Sequence, residues 1–138
     1  MVKFCEILVE ILLYLWQLPQ NLVGLCVLRW YWKRASGPIE RGRARVWNIE
    51  GWEGRRYIRC VTFGRYILTG MPYWDHRFFN MVRHEEGHYK QSLMLGWLYL
   101  PFIGICSGLW ALWWNEDRGV EYDDFFIEKW ADKWGGLR

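Results

Sequence analysis

The residues best suited to do chemistry together are His84, Glu85 and His88, in the string Arg83-His84-Glu85-Glu86-Gly87-His88. On an α-helix, side chains four apart lie on one face, so the two imidazoles converge on one point. That convergence suits tetrahedral Zn²⁺, whose nitrogen ligands sit about 2.0–2.1 Å away. Glu85 follows the first imidazole by one residue. There it can reach a water at the metal without binding the metal itself, which is the place for a general base. The chemistry such a set supports is hydrolysis of a peptide bond. A plain helix with exposed histidines would carry the same letters. With three His among 138 residues, a chance match arises in about one shuffled chain in 200.

A catalytic zinc site needs a third protein ligand. The chain's third histidine is His76, and Met94 stands six residues after the motif, where some zinc peptidases place another His. The remaining source is a carboxylate on a later helix, and Glu128-Lys129-Trp130-Ala131-Asp132 supplies one. Glu128 and Asp132 are four apart and share a face. Glu128 is the candidate ligand. Asp132 is the candidate acceptor of a ligand imidazole's free N–H, most simply that of His84, which would set its tautomer. With Glu121, Asp123 and Asp124 nearby, the segment also reads as an acidic helix face. His76, Tyr89 and Tyr122 are candidate donors to the oxygen that gains charge during acyl transfer. Tyr122, one to two turns before Glu128, is the best placed of these and is taken as catalytic beside Glu85.

His-Glu-Glu-Gly-His followed by Glu-Lys-Trp-Ala-Asp resembles the gluzincin metallopeptidases, whose pattern is His-Glu-x-x-His and then Glu-x-x-x-Asp. Within them it looks most like the membrane-bound HtpX-like and CAAX-prenyl-protease-like group, with Gly87 before the second His and Ala131 before the Asp. Glu86 departs from the apolar residue more usual there. The resemblance implies zinc ligation by His84, His88 and Glu128, catalysis by Glu85 and support from Asp132. It also implies a peptide or protein substrate and an edge strand that pairs with the substrate backbone; residues 56–68 are the candidate for that strand and read equally as an ordinary core strand. The surrounding Gln91-Ser92, Leu98-Tyr99-Leu100 and Trp134-Gly135-Gly136 are similar to short, uncharacterised bacterial membrane-associated proteins.

These groups must be carried by definite elements. A helix is expected from about Asp75, as N-cap, to Leu95, and another from about Tyr122 to Trp134 with a stop at Gly135-Gly136. Residues 46–69 change period and are rich in β-branched and aromatic side chains, which predicts two or three strands joined by hairpins. Gly64 predicts a bulge or a close backbone approach. Residues 29–45 are basic, contain Ser36-Gly37-Pro38 and read as a connector. The expected fold is α+β. It is a minimal zincin-like domain with a small antiparallel sheet, the active-site helix, a C-terminal zinc-ligand helix and apolar helical hairpins. Residues 1–34 form an apolar N-terminal helical hairpin or membrane anchor. Residues 35–138 are expected to form a zincin-like metallopeptidase domain, as the resemblance implies, with an apolar insertion at 93–114.

That insertion carries no charge and would reach about 33 Å as one helix, enough to cross a bilayer. A single crossing would put His88 and Glu128 on opposite sides, so the segment is expected to fold back near Pro101–Gly108. Residues 4–28, broken at Pro19, invite the same reading. Their Glu6 and Glu10 share a face, which suits a half-inserted helix better than a lipid-exposed span. No convincing secretory signal is read at the amino end.

Aromatics make up 20% of the chain, which fits a packed core or an interfacial belt and excludes a disordered chain. Residues 29–90 hold thirteen Lys and Arg against six acids. Without a nucleic-acid motif, that points to anionic lipid rather than nucleic acid. The expected location is therefore the membrane surface with the active site on the cytoplasmic face, the alternative being a soluble cytoplasmic domain. Cys5, Cys26, Cys60 and Cys106 lie far apart and read as buried thiols rather than disulfide partners. The rival function is a non-catalytic, zinc-stapled membrane-surface or partner-binding protein.

Overall fold

The computed structural model describes residues 2–52, 59–114 and 124–137. The chain is α+β, with five α-helices and one four-stranded sheet among these residues. Helices α1 (Val2–Trp16) and α2 (Leu18–Trp30) meet at an 87° bend. Pro19 lies in the first turn of α2, where a missing backbone N–H costs nothing. A strand β1 (Ala35–Arg41) follows, then β2 (Ala44–Ile49), β3 (Cys60–Phe63) and β4 (Tyr66–Thr69).

The sheet is mixed rather than antiparallel. Its order is β1-β2-β4-β3, with β4 parallel to β2 and the other two pairs antiparallel. All four residues of β4 are buried. Such a run belongs in the interior of a sheet, so β4 takes the place beside β2 and leaves β3 at the edge. Gly64 forms the turn between β3 and β4, with φ +58, and not a bulge, and the close approach is present, since a Cβ there would run into the Asn21 side chain. The expected connector at 29–45 contains β1, an edge strand whose register slips between Ser36 and Ile39 around Pro38. An edge tolerates a residue with no N–H to donate.

Alternation along the strands divides the core. Ala44, Val46 and Ile67 face α3 (Phe78–Leu95) and pack on Phe78, Val82 and Tyr89. Ile49, Tyr66 and Leu68 face the opposite way, with Leu28 of α2. The sheet is thus sandwiched between α2 and α3. Glu10 joins α1 to the sheet through Arg43 at 2.8 Å and Arg65 at 3.5 Å. Helix α3 begins at Phe78, later than expected. Asp75 accepts the Arg77 backbone N–H at 2.9 Å in a side-chain-closed turn just ahead of the helix.

Gly96, at φ 54, ends α3. A 3₁₀ turn (Gly96–Leu98) and a π turn (Leu100–Gly104) then lead into α4 (Ile105–Trp113), which departs from α3 at 119°. The fold-back therefore comes at Gly96–Tyr99, one to two turns earlier than Pro101–Gly108. The two bends are clasped together. Trp16 Nε1–H donates to the Leu93 carbonyl and Trp97 Nε1–H to the Leu15 carbonyl, each at 2.8 Å. Beneath them the buried amides of Gln17 and Gln20 donate to the Ser92 hydroxyl. Among the described residues no single helix is long and apolar enough to cross a membrane, though the two bent pairs pass that test together.

Helix α5 (Phe126–Gly135) lies along α3 and ends at Gly136, which is left-handed. A Cβ on Gly87 would run into the Ala131 carbonyl, so the two backbones approach as closely as glycine allows. Gly87→Ala should therefore part α3 from α5 and cost about 1–3 kcal/mol, read as a lower denaturation midpoint in urea. An unchanged midpoint would show that the contact is slack.

Candidate metal centre

The spacing in α3 places the His84 and His88 rings edge to face, with centroids 4.9 Å apart. Glu128 enters from the first turn of α5. Its Oε2 lies 3.0 Å from His84 Nε2 and 3.2 Å from His88 Nε2. One ligand atom from each of the three residues falls within 4.8 Å of the other two, so the group can hold a metal ion. Glu128 is 1% exposed.

The opposite ring nitrogens are engaged as well. His84 Nδ1 lies 2.7 Å from Asp132 Oδ1. His88 Nδ1 lies 2.8 Å from Gln91 Oε1. The Gln91 amide donates to the Ile127 carbonyl at 3.2 Å, which turns its oxygen towards His88. Both outward nitrogens thus face oxygen acceptors and carry the ring hydrogen. Each neutral ring then points an Nε2 lone pair at Glu128 Oε2, itself an acceptor. Three acceptors gathered at a buried point require a cation or protons between them. Two imidazole nitrogens and a carboxylate oxygen suit a first-row divalent ion.

The same electrostatics appear in the proton affinities. Burial works against the charged form of His84, but its hydrogen bond to Glu128, the charge of Glu85 and the hydrogen bond to Asp132 lift it to about 10. Burial also opposes a charged His88, yet Glu128 and Glu85 hold it above its ordinary value. Burial alone would raise Glu128, but hydrogen bonds from His84, His88 and Ser107 hold its carboxyl well below the usual range. A metal cation would take over the part these protons play.

Glu85 sits beside the cluster and is buried. The Thr62 hydroxyl of edge strand β3 lies 2.7 Å from Glu85 Oε2 and 3.1 Å from the Glu85 carbonyl. Glu86 faces away and meets Arg41 of β1, Nε to Oε1 at 2.7 Å. That pairing accounts for a charged residue at this place in the motif. A cleft of about 750 Å³ opens over the cluster, walled by Thr62 and Phe63 of β3, Tyr99, and Ser107 and Ala111 of α4.

His84, Glu85, His88, Glu128 and Asp132 therefore meet at one place. His76 is 89% exposed beside Asp75 and does not line the cleft. Tyr89 is packed in the core between α3 and the sheet, also away from the cleft. Tyr122 lies outside the described residues. Gln91, Thr62 and Ser107 are additions that the sequence reading did not single out. Gln91 had a local signal, three residues after His88 on the same helix face. Ser107 had one as a polar residue in an apolar stretch. Thr62 had none, since only folding brings β3 to α3.

Ser107 Oγ–H donates to Glu128 Oε1 at 2.5 Å, fixing the oxygen that does not face the imidazoles. Ser107→Ala should weaken divalent-metal affinity about 10–100-fold, the usual consequence of losing a ligand's outer partner. Competition with a chromogenic chelator measures it, and unchanged affinity would show that Glu128 needs no such support.

No protein-family model, curated protein or solved structure matches the chain.

Proposed function

We propose that this chain is a zinc-dependent metalloendopeptidase that works at a membrane surface. The carrying observation is the convergence of His84 Nε2, His88 Nε2 and Glu128 Oε2, with the Glu85 carboxylate beside them in a cleft. The donor set and its outer partners Asp132 and Gln91 are of the kind zinc hydrolases use. Zinc would polarise the scissile carbonyl and lower the pKa of the attacking water towards 7. Glu85 takes the proton of that water and passes it to the leaving amine. Thr62, hydrogen-bonded to Glu85, keeps that carboxylate turned to its task. Edge strand β3 flanks the cleft and leaves one side free among the described strands, so an extended peptide could add to it as a further strand.

Glu85→Gln should leave one zinc per chain by elemental analysis. It should also lower cleavage of a quenched-fluorescent peptide library about 10²–10⁴-fold. Wild-type cleavage by this variant would remove Glu85 from the mechanism.

The membrane part of the proposal rests on where apolar side chains remain exposed. Ile7, Ile11 and Leu15 of α1 lie open, as do Trp97 and Leu98 at the second bend and Leu109 and Leu112 of α4. The indole clasps hold the end of α1 against the second bend, so the exposed Leu15, Trp97 and Leu98 lie near one another. Half-helices returning from shallow insertion keep α3 and α5 on the same side of the lipid. The basic stretch 29–90 would face the cytoplasm and anionic headgroups. Flotation on vesicles containing phosphatidylglycerol should carry the protein upward without detergent. A protein that stays wholly in the soluble fraction would rule this location out.

A second reading is supported by the way Ser107 of α4 joins His84 and His88 of α3 around Glu128 of α5. A metal there would staple three helices of a small domain without turnover. Stoichiometric zinc, unfolding on its removal and no cleavage of any peptide would favour this reading over catalysis.

A further inference from the structure

We infer that Tyr99 is a catalytic residue of this site, donating a hydrogen bond from its hydroxyl to the scissile carbonyl oxygen as negative charge builds on it. The inference rests on the peptidase reading and supplies the stabiliser that reading otherwise lacks.

Position explains how a residue so far along the chain reaches the cleft. Tyr99 is eleven residues past His88, and a continued α3 would carry it about 16 Å along the axis. The bend at Gly96–Tyr99 and the π turn Leu100–Gly104 turn the chain back instead. Single π turns of this kind recur at functional sites. Tyr99 then lines the same cleft as His84, Glu85, His88 and Glu128.

Its surroundings separate the ring from the hydroxyl. The ring packs with Ile103 and with Ile127, the neighbour of Glu128 in α5. The residue as a whole is 3% exposed. A phenol so enclosed normally finds a hydrogen-bond partner. Among the described residues none bonds the Tyr99 hydroxyl, and it is not one of the polar atoms sealed in without a partner. Tyr99 lines the cleft, and the hydroxyl is its one polar side-chain atom. A nearly buried phenol with an unused donor, lining the cleft that holds Glu85 and the metal cluster, is suited to charge that develops there. Burial, and after it the charges of Glu85 and Glu128, hold the phenol well above its ordinary pKa, so it keeps its proton. By contrast Tyr89, nearer the motif in sequence, is turned into the core.

The test uses the zinc-loaded full chain and Tyr99→Phe. Two ligands are compared by calorimetry. One is the phosphoramidate N-phosphoryl-leucyltryptophan, whose tetrahedral oxygens imitate the charge of the transition state. The other is acetohydroxamate, which needs only the metal. Tyr99→Phe should weaken the phosphoramidate about 10²-fold, leave acetohydroxamate and zinc content unchanged, and lower kcat by a similar factor with little change in KM. Its melting temperature should match the wild type, because no hydrogen bond within the protein is lost. Equal phosphoramidate affinity in the two proteins, no binding by the wild type, or a lowered melting temperature in the variant overturns the assignment. If no peptide is cleaved while Tyr99-dependent phosphoramidate binding persists, the peptidase reading fails and the oxyanion-binding role of Tyr99 stands.

Discussion

His84 Nε2 and His88 Nε2 each lie within hydrogen-bond distance of Glu128 Oε2, so that three acceptor atoms gather at a buried point. Lone pairs gathered in a low-dielectric interior repel unless positive charge lies between them. Much of the rest of the molecule can be understood as the scaffold that makes this gathering possible. Helix α3 is laid on the sheet by Phe78, Val82 and Tyr89. Helix α5 is brought alongside by the close approach of Gly87 to Ala131. Gln91 spans the two, holding His88 with its oxygen and the Ile127 carbonyl with its nitrogen.

The ion pairs of the molecule do not share this work equally. Glu86 with Arg41 and Glu10 with Arg43 are partly exposed, and pairs of that kind contribute from nothing to about 1 kcal/mol each. Their use is in register, tying α3 to the end of β1 and α1 to the sheet. The histidine–carboxylate contacts are largely sealed from water, where losing one partner strands the others. Stability and metal affinity are therefore expected to be sensitive at the α3–α5 seam and tolerant at the Arg41 end of the same helix.

The apolar hairpin after α3 is more than a covering. It supplies Ser107 to Glu128 and walls the cleft with Tyr99 and Ala111, while Leu109 and Leu112 stay exposed on α4. One short segment thus has residues that complete the site and apolar residues that stay exposed.

What could be read from the chain alone was whatever depends on helical spacing. Four-residue intervals put His84 with His88, and Glu128 with Asp132, whatever the rest of the fold does. Gly135-Gly136 marked a helix end, and the charge-free run at 93–114 had to turn back if both halves of the motif were to meet. The meeting of Glu128 and Asp132 with the histidines was legible through the need for a third ligand and the motif's resemblance, while the other contacts between distant segments were out of reach. The parallel seat of β4 beside β2, the edge strand β1 hidden by Gly37-Pro38, and the turn at Gly64 come from strands choosing partners by burial. Thr62 reaches Glu85, and Ser107 reaches Glu128, across 23 and 21 residues. Tyr99 comes to the cleft through a bend placed at Gly96. Local spacing specifies which groups can point the same way. Only the packed chain specifies which distant groups they meet, because that choice is made by the burial of whole surfaces and not by any short stretch of sequence.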